Sequence, residues 1–227
     1  MTSSSSQRAR RSYRMHPSTL SDAPNVILRC TARALSVLGV RPASLPTVEA
    51  GEDDWYANVV WIERRKCLLL VHAGTLFSVF VPDVRKADLM TLGPAVARWI
   101  RHELASEGMP EDSLGQIDAG TVTLARTASR VTLGYMNEMG HFLKYWVAIE
   151  GGLSRIDVGA LNRAARRQVH LSKTRPGYIV PIELAAERTV AAGARRFQRV
   201  EPIPTESTIL QLPGCRALSN QNSMKGL

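Results

Sequence analysis

The sequence predicts an α+β domain, a mainly antiparallel sheet (three-strand meander plus additional strands) with helices packed on one face. Three observations carry this reading. The stretch 55–82 holds three β-forming segments separated by two tight turns. Short turns between neighbouring strands imply antiparallel pairing. One strand-like segment returns late, at 121–126, so strands and helices do not alternate as they do in a doubly wound sheet.

The elements follow in order. Residues 1–24 are rich in Ser and Arg and lack hydrophobic periodicity, which predicts a disordered basic tail. Met15 is an alternative start within it. Val26–Cys30 is a short apolar run and reads as a strand. Thr31 is placed to cap the helix that follows, and Gly39 to end it with a positive φ. Residues 40–54 contain Pro42, Pro46, Gly51 and the cluster Glu52-Asp53-Asp54, and read as a solvated surface loop.

In the meander, Trp55–Ile62 is the first strand and 63–66 a charged turn. Residues 67–71 are continuously apolar, as a central strand requires. His72-Ala73-Gly74 turns the chain into 75–81, which Pro82 stops. Residues 83–93 read as a polar connection with one helical turn at most. Pro94 suits the first position of a helix whose apolar face is Val96, Trp99, Ile100 and Leu104. Gly108 and Pro110 end it, and a weaker helix is expected over 111–119. After the strand at 121–126, Thr132 is read as the cap of a helix to about Glu150, with Met136, Met139, Leu143, Trp146 and Val147 facing inward. Asp157 caps a shorter helix bearing Leu161 on one side and Arg163, Arg166 and Arg167 on the other. Pro181 opens a last helix over 182–192. The expected organisation is one domain over 25–195 with a flexible tail at 196–227.

Bulk properties narrow the function classes. The 227 residues are 44% hydrophobic and 22% charged, near globular averages. No apolar run approaches the roughly 18 residues a membrane helix needs. The basic start has no apolar stretch behind it, which argues against a secretory signal and for the cytoplasm. Cys30, Cys67 and Cys215 stand apart from one another and from His at ligand spacing. No metal site, disulfide framework or cofactor is therefore expected. The net charge of +9 is spread evenly: +3 in residues 1–24, +3 in 191–227, and +3 in 25–190, where 20 basic residues face 17 acidic ones. Such tails hold a chain near polyanions or simply keep it in solution.

Reaction signatures are missing from the sequence: there is no glycine-rich phosphate loop, GxSxG or HExxH. The strongest candidate site is the start of the helix after Thr132. A helix N-terminus attracts anions, Arg126 and Arg130 lie just upstream, and Gly134 permits close approach. Asn137, His141 and Lys144 share one helical stripe. Phosphate or carboxylate is the ligand this pattern would hold, with His141 as the weak candidate for a general acid or base. The same residues also read as local structure and solvated surface. Arg64, Arg65 and Lys66 at the hairpin tip, with Arg163, Arg166 and Arg167, form a candidate polyanion surface. Trp55, Tyr56 and Trp61 read as core aromatics.

Several of these segments resemble a bacterial family catalogued as domain of unknown function 6933. The resemblance rests on Ile27-Leu28-Arg29-Cys30-Thr31, Trp55-Tyr56-Ala57-Asn58, Glu63-Arg64-Arg65-Lys66-Cys67-Leu68-Leu69 and Thr75-Leu76-Phe77-Ser78. It continues through Ser129-Arg130-Val131-Thr132-Leu133-Gly134-Tyr135-Met136-Asn137-Glu138 and Leu143-Lys144-Tyr145. Glu63, Ser129, Tyr135 and Glu138 depart from the family pattern, and Tyr135 narrows any anion site at the helix start. The resemblance spans about 26–190 and implies one cytoplasmic domain, without implying an activity. Two functions remain open. One is a non-enzymatic binding or accessory protein with a protein or nucleic-acid partner. The other is an enzyme acting on a phosphate-containing substrate, such as a nuclease. They differ in whether Arg126, Arg130, Asn137, His141 and Lys144 converge.

Overall fold

The computed structural model describes residues 26–115, 117, 122–171 and 177–191. The predicted tails and Cys215 lie outside the described residues. Strand β1 is Val26–Cys30, and helix α1, Ala32–Leu38, follows directly. Thr31 caps α1 by accepting from the Ala34 N–H, and Gly39 ends it at φ 70°. Strands β2 (Trp55–Ile62) and β3 (Arg65–His72) form a hairpin closed by Glu63 and Arg64 alone. Both turn residues have positive φ, 49° and 64°, the conformation that matches strand twist in a two-residue turn.

Strand β4 is Ser78–Val81. Helices α2 (Lys86–Met90) and α3 (Leu92–Ser106) come next. The segment 83–93 is thus more helical than expected, and Pro94 lies in the first turn of α3 rather than at its first position. Residues 111–114 form turns, not a helix; part of 115–121 lies outside the described residues. Strand β5 is Val122–Arg126 and helix α4 Arg130–Ile149. Helix α5 is Val158–Arg166, strand β6 (His170–Leu171) pairs antiparallel with β7 (Tyr178–Ile179), and α6 is Pro181–Ala191.

The sheet corrects the expected fold class. The molecule is α+β, and β2, β3 and β4 do pair antiparallel in sequence order. The full strand order is β4-β3-β2-β1-β5, however, and β1 pairs in parallel with both β2 and β5. The sheet is mixed, not mainly antiparallel. Parallel neighbours need long crossovers. The chain supplies them, through α1 and the 40–54 loop before β2, and through α2 and α3 before β5.

Helices also cover both faces rather than one. On one face Leu28, Trp55, Ala57, Leu68, Leu70 and Val79 pack with Leu35, Val96, Ile100 and Leu104 of α1 and α3. On the other, Tyr56, Val60, Cys67, Leu69, Val71 and Phe80 pack with Met136, Met139, Leu143 and Val147 of α4 and Leu161 of α5. Burial on both faces explains the unbroken apolar run of β3.

Candidate functional site

A cleft of about 290 Å³ opens at the end of the sheet where β2 begins and β3 ends. Its walls are Ala50, Gly51 and Glu52 of the loop before β2, the turn residues Ala73, Gly74 and Leu76, the start of α4, and Ile179 and Leu184. Two anchors hold the loop. Arg29, 2% exposed, binds the Asp54 carboxylate at 2.5 Å and donates to the carbonyls of Val48, Glu49 and Arg126. Arg188 of α6 pairs with Glu52 at 3.3 Å and with Asp53. Gly74 is required here, since a Cβ would lie 2.9 Å from the Glu52 carbonyl oxygen.

The start of α4 supplies the polar part of the wall. Its cap is Ser129, three residues earlier than the sequence reading placed it. The Ser129 hydroxyl oxygen accepts from the Thr132 N–H at 3.1 Å and from the Thr132 hydroxyl at 3.0 Å. The Ser129 N–H donates to the Tyr56 hydroxyl at 3.0 Å. Tyr56 therefore acts as an acceptor, while the Ser129 and Thr132 hydroxyls share one hydrogen bond between them. The Tyr56 hydrogen and one hydrogen of the Ser129–Thr132 pair meet no acceptor among the described residues. The backbone N–H groups of Arg130 and Val131 lie in the first turn, where no intrahelical acceptor exists. The remaining wall is apolar: Leu76, Val131, Ile179 and Leu184.

The residues singled out from sequence are placed as follows. Arg130 is the first residue of α4 and is exposed. Arg126 is exposed and donates to the Pro42 carbonyl at 2.8 Å. Asn137, His141 and Lys144 do share a stripe, but it is the solvent side of α4. None of these five lines the cleft. Arg64 and Arg65 are exposed at the hairpin tip, Lys66 is half-buried, and Arg65 pairs with Asp83 at 3.4 Å. Arg163 is exposed. Arg166 is fully buried and Arg167 partly so; they do not extend a basic face with Arg163.

Arg166 instead joins α5 to α3. It binds Glu103 at 2.8 Å and Glu107 at 2.7 Å, while Arg167 binds Glu107 at 2.6 Å. Burial pushes the Glu107 carboxyl up, but Arg167 and Arg166 outweigh it and hold it below the usual carboxylate range. The same cluster closes the edge of the sheet. Asn162 accepts from the Phe80 N–H at 2.7 Å and donates to the Phe80 carbonyl at 3.0 Å, as a neighbouring strand would. Arg166 donates to the Ser78 carbonyl at 3.2 Å. An edge strand covered in this way cannot recruit another chain.

Asp54 departs from the solvated reading of its loop, and His72 takes a buried structural place. Asp54 is 3% exposed, held by Arg29. His72 is fully buried with Nδ1 3.0 Å from the Thr75 hydroxyl. Burial, helped by the Arg188 charge, lowers its pKa to about 3. Burial likewise pushes the Cys30 thiol up to about 12, which leaves it unreactive. Sequence reasoning missed Arg29 and Ser129 as organisers. The available signals were a lone charge inside an apolar strand, and a second cap-type residue upstream of Thr132. Among the described residues no three His, Cys, Asp or Glu side chains gather as metal ligands, and no helix is long and apolar enough to cross a membrane.

Residues 27–184 match the family described as a domain of unknown function, DUF6933. The chain belongs to that family. No curated protein and no solved structure matches it.

Proposed function

We propose, starting from that membership, that the domain is a non-enzymatic binding or accessory protein of the cytoplasm, and that it holds a small molecule in the cleft at the start of α4. The observation that carries this reading is the set of donors around the cleft. The Tyr56 hydroxyl, and one of the paired Ser129 and Thr132 hydroxyls, keep a hydrogen for a ligand. The free N–H groups of the first turn of α4 add to them. Leu76, Val131, Ile179 and Leu184 offer an apolar wall to the body of the ligand. The volume of about 290 Å³ falls just short of the roughly 300–1,000 Å³ typical of small-molecule sites, which suits a small ligand.

The enzyme reading draws less support. Phosphoryl chemistry needs cation, base and oriented substrate in one concave place. His141 and Lys144 face solvent on α4, away from the cleft. Buried thiols at Cys30 and Cys67 suit a reducing compartment. A fragment screen by protein-observed NMR on the full chain tests the proposal. Fragments should perturb Ser129, Val131 and Leu184, lose binding in Val131→Trp, which fills the cleft from its exposed lip, and keep it in His141→Ala. Binding indifferent to Val131→Trp would overturn the site. Phosphoester hydrolysis abolished by His141→Ala would restore the enzyme.

A further inference from the structure

We propose that the cleft leads inward to Ser78, Tyr135 and His170, and that these three side chains receive an uncharged hydrogen-bonding group of the ligand, an amide or a hydroxyl. The inference rests on the reading of the cleft as a binding site. Ser78 is 1% exposed and Tyr135 5%. The Ser78 Oγ, the Tyr135 Oη and the His170 Nε2 are each buried without a hydrogen-bond partner among the described residues. Native proteins rarely leave such groups orphaned, because each loses its hydration without replacement. Here three such atoms, from β4, α4 and β6, come together. The Tyr135 and His170 rings meet edge to face with centroids 4.7 Å apart. Burial raises the Tyr135 phenol pKa and contact with the Ser78 hydroxyl opposes that push, although the two hydroxyls do not reach the geometry of a full hydrogen bond.

None of the three lines the cleft, but each is a close neighbour, in the chain or in strand register, of a residue that does. Leu76 lines the cleft, and Leu76 and Phe80 flank Ser78 on the same apolar face that receives Tyr135. Thr132 lines the cleft one helical turn before Tyr135. Ile179 lines it too and is the register partner of His170. Three of the wall residues, Leu76, Thr132 and Ile179, thus each neighbour one of the orphaned side chains in the chain or in strand register.

The chemistry selects the group. The Nδ1 of His170 lies 3.8 Å from the Glu138 carboxylate. That favours the proton on Nδ1 and leaves Nε2 as an acceptor. Burial lowers the imidazole pKa against the upward pull of Glu138, so the ring is neutral. The two hydroxyls donate or accept. Arg166, whose charge reaches the phenol, is committed to Glu103 and Glu107. A phosphate would therefore be buried there without a counter-charge. A group that both donates and accepts, with no charge, satisfies all three atoms.

The test uses the full chain and three probes with one aliphatic body: 4-methylpentanamide, 4-methylpentan-1-ol and 4-methylpentanoate. NMR titration reads affinity, and thermal melting reads the free proteins. The amide and the alcohol should bind the wild type and bind Tyr135→Phe about ten-fold more weakly. Free Tyr135→Phe should melt at or above the wild-type temperature, because a hydroxyl without a partner has been removed. Ser78→Ala should behave in the same way. A clear fall in melting temperature for free Tyr135→Phe would mean an internal hydrogen bond and overturn the inference. Equal amide affinity in Tyr135→Phe, lost in Val131→Trp, would overturn the inner site and leave the cleft standing. So would binding of the carboxylate alone. Failure of all three probes at millimolar concentration overturns the inner site, while the fragment screen judges the cleft separately.

Discussion

The covered edge of β4 and the cleft at the start of α4 are both rich in polar groups, and they differ in how those groups are committed. At β4, Asn162, Arg166, Glu103 and Glu107 satisfy one another and the Phe80 and Ser78 backbone, and Arg166 is fully buried. Around the cleft, the Tyr56 hydroxyl and the paired Ser129 and Thr132 hydroxyls are only partly committed and border open space. Complete pairing of buried charge marks a structural device. Partial commitment beside a cavity marks a place for something else. Arg166, read from the sequence as one member of a candidate polyanion surface, belongs to the first kind.

Removing one partner from the β4 edge should produce the largest effect. Arg166→Met strands Glu103 and part of Glu107 without their cation, inside the molecule. The expected loss is about 3–5 kcal/mol, a large share of a stability of about 5–15 kcal/mol. Urea unfolding measures it. A variant within about 1 kcal/mol of wild type would mean that the cluster is hydrated and looser than the geometry states, and the contrast with the cleft would disappear.

His72 gives the next effect, and its sign follows from linkage. Its folded pKa, about 3, lies below the unfolded value near 6.5. The neutral ring stabilises the fold above the unfolded pKa, and that contribution is lost as pH falls below 6.5 towards 3. Between pH 7 and pH 5 the loss should be about 2 kcal/mol. Urea midpoints of wild type and His72→Gln across this interval check it: the wild type should fall and the variant should stay nearly flat. Glu107, also depressed, keeps its full contribution above the ordinary carboxylate range and loses it only as pH falls through and below that range, so the interval from pH 7 to pH 5 belongs to His72. Parallel curves for both proteins would place the pH sensitivity elsewhere than at His72.

These contrasts explain what could be read from the chain. The hairpin at Glu63-Arg64 and the inward face of α4 are local patterns, with partners a few residues away, and the sequence displays them directly. The parallel pairing of β1 was not legible, because it depends on where two long crossovers return the chain. Arg29 and its acceptors on Val48, Asp54 and Arg126 are separated by 19 to 97 residues. Arg166 reaches Glu103 across 63. A buried arginine and an exposed one look alike until the partner's position is known. The α4 start was legible as a place but not in its parts. The region was found through its arginines, whereas the groups that line the cleft are Ser129, Val131 and Thr132.

The cap itself sharpens this point. Ser129→Ala removes the oxygen that accepts from the Thr132 N–H and should cost about 1 kcal/mol. Thr132→Ala leaves that acceptor in place and should cost less by urea unfolding. The reverse order would return the cap to Thr132 and move the N-terminus of α4 away from the cleft.

The smallest effect is expected on the outer stripe of α4. Asn137, His141 and Lys144 are exposed, and among the described residues none has a side-chain hydrogen bond or ion pair. Alanine is the best helix former, so replacing any of them trades solvated polarity for propensity. Each single alanine variant should stay within about 0.5 kcal/mol of wild type. Fragment binding at the cleft should be unchanged as well, because the stripe faces away from its lining. The measurement is a urea midpoint and one NMR titration per variant. A loss of more than about 1 kcal/mol in any of them would show a tertiary contact made by that side chain. A change in cleft affinity would show that the helix transmits what happens on its outer face to its first turn. Either result would blur the division between committed structure and open site on which the comparison rests.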